Sequence, residues 1–144
     1  MDFNGGSDIL TGNSVLAGGT TGRTVITVAK PDVTGEDRKV ISLNLDPSGS
    51  KGSFYTVTPE IYVRVKGNKQ FSETQPTDRF SIVATQNAAG SKIQDIVGFL
   101  NGEAMTGSGS DSGGNTLDVQ GNDFGIGGYS SGFFFDGYIA ETLV

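Results

Sequence analysis

The chain has 144 residues, 35% of them apolar, a formal charge of −6, and neither Cys nor His. Those absences exclude disulfide stapling, Cys/His zinc sites, Cys nucleophiles and every His-based triad. The acidic balance repels phosphate backbones, and the ten Lys and Arg residues are scattered without a cluster, so nucleic acid is not an expected partner.

Taken along the chain, the pattern has period two and almost no helical period. Strands are predicted near 1–4, 8–11, 23–30, 38–45, 52–57, 59–66, 69–74, 79–86, 93–101, 103–106, 116–119, 122–127 and 134–144. Ile61, Val63 and Val65 alternate with Tyr62, Arg64 and Lys66, and Phe80, Ile82 and Ala84 alternate with Arg79, Ser81 and Val83. Each set puts one row of side chains on a core face and the other outward. The best helical candidate, 88–100, is interrupted by Gly90 and Gly98 and reads as a turn followed by a strand.

Turn signals separate these strands: Gly18-Gly19, Pro31-Asp32, Pro47-Ser48-Gly49, Gly67-Asn68, Ala89-Gly90 and Asn101-Gly102. The last is the sharpest, because both central residues of a type I′ hairpin turn need positive φ. Many short strands at this spacing mean a sandwich or barrel. The Gly-Ser stretch 106–116 is expected to be a long surface loop rather than a linker. The two or three strands beyond it are too few to bury a core of their own, so residues 1–144 are expected to form one domain.

Five motifs in order resemble one family. Phe3-Asn-Gly-Gly-Ser-Asp-Ile-Leu is similar to the opening strand of laminin-G-like domains, and Thr24-Val-Ile-Thr-Val-Ala-Lys-Pro-Asp32 to the next. Ser81-Ile-Val-Ala-Thr-Gln-Asn resembles the strand entering the central hairpin, and Ile96-Val-Gly-Phe-Leu-Asn-Gly-Glu103 the hairpin itself. Phe124-Gly-Ile-Gly-Gly and Phe135-Asp-Gly-Tyr-Ile-Ala-Glu look like its closing strands. The chain thus resembles the laminin-G-like, concanavalin A-like lectin family, of the bacterial or phage type. The resemblance implies an all-β, two-sheet antiparallel jelly-roll sandwich, with residues 2–10 paired to 138–144. Two departures stand out. Asp78-Arg79-Phe80 stands where relatives often carry Trp-His, and the chain stops where relatives run on, which implies C-terminal truncation. With no Trp, an aromatic sugar platform must come from Tyr or Phe.

Catalysis is not expected. Glycoside hydrolases need two carboxylates across a cleft at ~5–10 Å. Glu36, Glu60, Glu73, Glu103 and Glu141 show no paired spacing. Nor is there an imidazole base or a phosphate-binding Gly-rich loop with its Lys. No cofactor is required. Calcium is the one candidate, because many relatives hold it at the rim; Asp118 and Asp123 are the candidate ligands, beside Asp111 and Asn122. The competing reading is that these acids keep a loop soluble. Candidate glycan-binding residues are Asp111, Asn115, Tyr129 and Phe133.

In 133–135, three successive Phe cannot share one side of a strand. Phe135 is expected in the core, and Phe133 or Phe134 exposed as an anchor for a protein partner. Asp136 is expected to accept from its own turn, and Glu141 to pair across the sheet.

No apolar run nears the ~20 residues that cross a bilayer, no signal peptide is read, and no N-glycosylation sequon occurs. The expected function is a non-catalytic carbohydrate-binding or adhesion module, extracellular or on a virion tail fibre, capsid or bacterial surface. The alternative is a structural decoration or assembly module of a phage capsid or tail. The partner is then a surface glycan or a virion structural protein, with homo-oligomers in view.

Overall fold

Asn101 and Gly102 adopt φ of 52° and 88°. This is the conformation that a two-residue hairpin of matching twist requires. The turn folds β9 (Val97–Leu100) onto β10 (Glu103–Ala104) with Leu100 opposite Glu103. The Asn101 carboxamide oxygen also accepts the Ile82 N–H at 2.9 Å, tying the hairpin to the neighbouring strand.

In the computed structural model the described residues are 1–13, 20–32, 38–43, 54–57, 61–64, 67–111, 123–128 and 133–144. They form two antiparallel sheets. The first sheet orders β1 (Asp2–Asn4), β13 (Asp136–Leu143), β3 (Arg23–Pro31), β8 (Ser81–Asn87), β9 and β10 side by side. The second orders β11 (Gly107–Asp111), β7 (Gly67–Phe71), β6 (Ile61–Arg64), β5 (Phe54–Val57), β4 (Lys39–Ser42), β12 (Asp123–Ile126) and β2 (Leu10–Asn13).

Both sheets contribute to one apolar cluster: Phe3, Val25, Ala29, Val83 and Ile139 from the first, Val40, Ile41, Ile61, Val63 and Phe71 from the second, and Leu43, Ile93, Ile96 and Phe135 beside them. Phe3 and Phe135 meet edge to face at 6.3 Å. This geometry suits the positive ring edge against the negative ring face. Gly127 has φ +83°, and a Cβ there would overlap the Phe3 ring, so only glycine lets that ring settle.

The expected closure of the ends is present over part of the predicted length. Asp2, Phe3 and Asn4 face Tyr138, Gly137 and Asp136, and the amino terminus donates to the Ile139 carbonyl at 2.7 Å. Leu10 does not continue along β13, however; it pairs with Ile126 in the second sheet. The reason is the turn between them. Asn4 accepts the Gly6 N–H through its side chain and donates its own N–H to Asp8, which swings the chain from one sheet to the other.

Two further expectations are corrected. The stretch predicted as loop begins with a strand, β11, whose backbone runs along β7 from Gly107–Phe71 to Asp111–Gly67. The predicted strand at 93–101 opens instead with a short 3₁₀ turn, Ile93–Asp95, stapled by the Lys92 N–H to the Asp95 carboxylate at 2.9 Å. The predicted strand at 116–119 lies outside the described residues.

β8 settles which of its rows faces inward. Ser81, Val83 and Thr85 are buried, while Phe80 and Ile82 are 49% and 47% exposed. Small inward residues suit this place. Phe71 of the opposite sheet reaches over Gly98, the cross-strand partner of Thr85, and leaves no room there for a larger side chain.

Candidate functional site

The inward turn of Ser81 directs its neighbours outward, and the ladder then lines up side chains of adjacent strands. On the outer face of the first sheet, Asp2 faces Tyr138 and Tyr138 faces Lys30. Phe80, leading into β8, ends the row with its ring 6.5 Å from that of Tyr138 at an interplanar angle of 63°. One row further along, Asn4 faces Asp136. The Asp136 carbonyl accepts the Asp32 N–H at 3.0 Å. At about 4.8 Å between strands, the row from Asp2 to Phe80 spans roughly 14 Å.

Lys30 organises this corner. Its ammonium lies 2.8 Å from the Asp32 carboxylate and 5.2 Å from the centre of the Tyr138 ring. The hydrogen bond to Asp32 holds its pKa above the ordinary lysine value; desolvation opposes this, and the charges of Asp32, Tyr138 and Asp2 add to it. The corner therefore offers a fixed cation, several carboxylate acceptors, a carboxamide, a phenol and two partly exposed rings on one surface. Polar groups of this kind orient hydroxyls while the rings supply an apolar face.

The rim beside it is braced from the second sheet. Arg38 donates through Nη1 to the carbonyls of Phe134 and Gly5, at 2.9 and 3.2 Å. Lys39 donates its N–H to the Phe133 carbonyl, and its ammonium lies 4.5 Å from the centre of the Phe133 ring. Phe133 has φ +59°, a conformation rare for a bulky residue, and is 52% exposed. Phe135 is fully buried, as its position before the Asp-Gly corner predicted.

Of the predicted glycan-binding residues, Phe133 is exposed at this rim. Asp111 ends β11 and the candidate calcium ligand Asp123 opens β12, but the side chains of both lie outside the described residues, as do Asn115, Asp118, Asn122 and Tyr129 altogether. Among the described residues no three acidic side chains cluster in a way that could hold a metal ion. Asp136 packs against Gly5, and Glu141 is exposed on the outer face. Sequence reasoning missed Asp2, Lys30, Asp32, Phe80 and Tyr138 as a group. The one signal was the Lys-Pro-Asp run, which sets Lys30 and Asp32 on one side of a strand; the row itself needs the register.

No protein-family model matches the chain, and no curated protein does. Among solved structures, it is similar to domain 4 of AbnA, an extracellular GH43 arabinanase from Geobacillus stearothermophilus, in complex with arabinotriose. The TM-score is 0.62 at 13% identity, covering 97% of this chain and 79% of that one. It is similar to domains LG4-5 of the mouse laminin alpha1 chain, with TM-score 0.70, 11% identity, 97% of this chain and 39% of that one. A third is the heptameric SAP-like pentraxin of Limulus polyphemus, with TM-score 0.67, 13% identity, and 98% and 72% covered. The chain has the laminin-G-like, concanavalin A-like jelly-roll fold. In this jelly roll the polar corner sits where β1 and β13 close the first sheet, on the face turned away from the core.

Among the described residues no helix is long and apolar enough to cross a membrane.

Proposed function

We propose that this chain is a non-catalytic carbohydrate-binding module, one domain over residues 1–144, working in adhesion outside the cell or on a virion surface. The observation that carries the reading is the Asp2–Tyr138–Lys30–Phe80 row, with Asp32 joined to Lys30. A sugar lies across it with ring hydroxyls on the carboxylates and the ammonium, and its C–H face on Tyr138 or Phe80. The surface is open, so affinity is modest; a dissociation constant near 1 mM corresponds to about −4 kcal/mol. The similarity to an arabinanase domain bound to arabinotriose supports glycans as the ligand class. In this reading Asp118 and Asp123 are candidate calcium ligands, and Asp111, Asn115 and Tyr129 are candidate glycan contacts alongside Phe133.

A glycan array followed by calorimetry tests it, with Tyr138→Ala and Lys30→Ala as probes. Binding that weakens about tenfold or more in both variants is expected. Binding untouched by either places the sugar elsewhere, and an array without hits removes the reading.

A second reading rests on Phe133. A bulky residue held in left-handed backbone and half exposed is a ready anchor for a protein partner. In this reading the module decorates or assembles a phage capsid or tail. Co-sedimentation with particles, lost in Phe133→Ala, distinguishes it.

A further inference from the structure

The segment that carries Phe80 into β8 is held by little. Among the described residues, 74–80 makes no backbone–backbone hydrogen bond, and its Asp78–Arg79 ion pair stands in solvent at 3.8 Å. What reaches the sheet is one side chain. Gln75 is 4% exposed and donates through Nε2 to the Ala29 carbonyl at 2.6 Å. The other half of its carboxamide, Oε1, is shielded from solvent and meets no partner among the described residues. Ser81, the first residue of β8, repeats the pattern: it is 1% exposed, and its Oγ is shielded and without a partner too. The two stand at one place, because Ser81 is the cross-strand partner of Ala29, the residue that Gln75 holds.

We infer that a buried water molecule binds at this junction, bridging Gln75 Oε1 and Ser81 Oγ and closing the 76–80 loop at its base. Polar atoms so deeply shielded are hydrogen-bonded in nearly every protein, and where the chain supplies no partner an internal water does. The reach is right. Paired residues of antiparallel strands lie about 4.5–5.5 Å apart. One water at about 2.8 Å from each of two oxygens spans a gap of that size. The chemistry is complementary as well: the carboxamide oxygen only accepts, the hydroxyl donates and accepts, and water brings the missing donor. Ala29 and Ser81 are both small and face the interior, which leaves the space that a longer side chain would fill.

A metal ion does not fit the same junction. Neither oxygen is charged. Of the carboxylates nearest in sequence, Glu73 is committed to the Thr106 N–H and Asp78 stands in solvent. One carboxamide and one hydroxyl fall far short of the oxygen shell that calcium or magnesium requires. The consequence of the water is local. It ties the residue that enters the loop to the residue that leaves it, so Phe80 meets the Tyr138 ring from a closed base. The water belongs to the fold whether or not a sugar binds at the corner.

The test is water–protein NMR of the full chain together with its crystal structure. Rotating-frame Overhauser cross-peaks from a long-lived water to the Gln75 side-chain amide and the Ser81 backbone amide are expected. So is a density peak about 2.7–3.2 Å from both Oε1 and Oγ. Combining Gln75→Met with Ser81→Ala removes both polar demands at little change in volume. With folding checked by circular dichroism, the double variant should lose the cross-peaks. A dry junction in the unmodified chain, with the hydroxyl bonded directly to Oε1 or no cross-peak at either amide, overturns the inference. So does a cross-peak that survives in the double variant. The measurements on the unmodified chain decide the question even where the variant fails to fold.

Discussion

In β4 every side chain from Lys39 to Ser42 is buried, polar ends included, whereas at β8 Phe80 and Ile82 stand half exposed while Ser81 and Thr85 lie inside. The two strands sort their side chains in opposite ways, and hydropathy alone explains neither. What differs is the cover. Residues distant in sequence supply partners around β4: Gly127 donates to the Val40 carbonyl, the Ser42 hydroxyl donates to the Gly128 carbonyl, and the Lys39 ammonium lies against the Phe133 ring. A polar group so provided for tolerates burial. β8 is covered on one face only, and its other row, with Phe80 and Ile82, meets solvent.

The contrast is broken hardest at Gly127. Its replacement by Val forces a side chain into the Phe3 ring at a backbone conformation hostile to branched residues, and a loss of about 4 kcal/mol or more is expected in urea unfolding. Next comes a paired truncation. Ile41→Ala empties a fully buried site and should cost about 2–5 kcal/mol. Ile82→Ala, measured in dilute protein, should stay within about 1 kcal/mol. Equal losses would mean that the two isoleucines share an environment, and the contrast between the strands would disappear.

Asn101→Ala sharpens the comparison on the β8 side. It removes the acceptor of the Ile82 N–H and puts Ala at φ 52°, for an expected cost of about 1–2 kcal/mol by the same unfolding measurement. The smallest effect is at the edge of the second sheet. Thr106 donates its N–H to both Glu73 carboxylate oxygens, at 2.9 and 3.1 Å, and this holds the Glu73 pKa below its ordinary value of 4.5. A lowered folded value means that the contribution is complete above the ordinary pKa and is lost as pH falls through the lowered one. Glu73→Gln should therefore flatten the stability–pH curve in that acid window, and an unchanged curve would remove the role assigned to the clamp.

Much of the architecture was legible in local chemistry. The Asn101-Gly102 hairpin, the Gly127 position and the buried Phe135 before Asp136-Gly137 are set by the φ values and the alternation that those residues permit. The rest depended on partners far away in sequence. β11 is written in Gly and Ser, and what makes it a strand is the ladder to Phe71 and the clamp from Glu73. The face of β8 was ambiguous because both of its rows contain apolar residues; the space left beside Phe71 decided it. The polar corner was hidden for the same reason. Asp2, Lys30 and Tyr138 lie in three distant stretches, and only the register sets them in a row.

The glycan corner requires that β8 turn Phe80, and with it Ile82, to solvent. Hydroxyl-radical footprinting of dilute protein, read by mass spectrometry, reports that orientation residue by residue. Rapid oxidation of Phe80, Ile82 and Tyr138, with Phe3, Phe71 and Phe135 protected, is the expected outcome. Protection of Phe80 and Ile82 at a concentration where the chain is monomeric would contradict it.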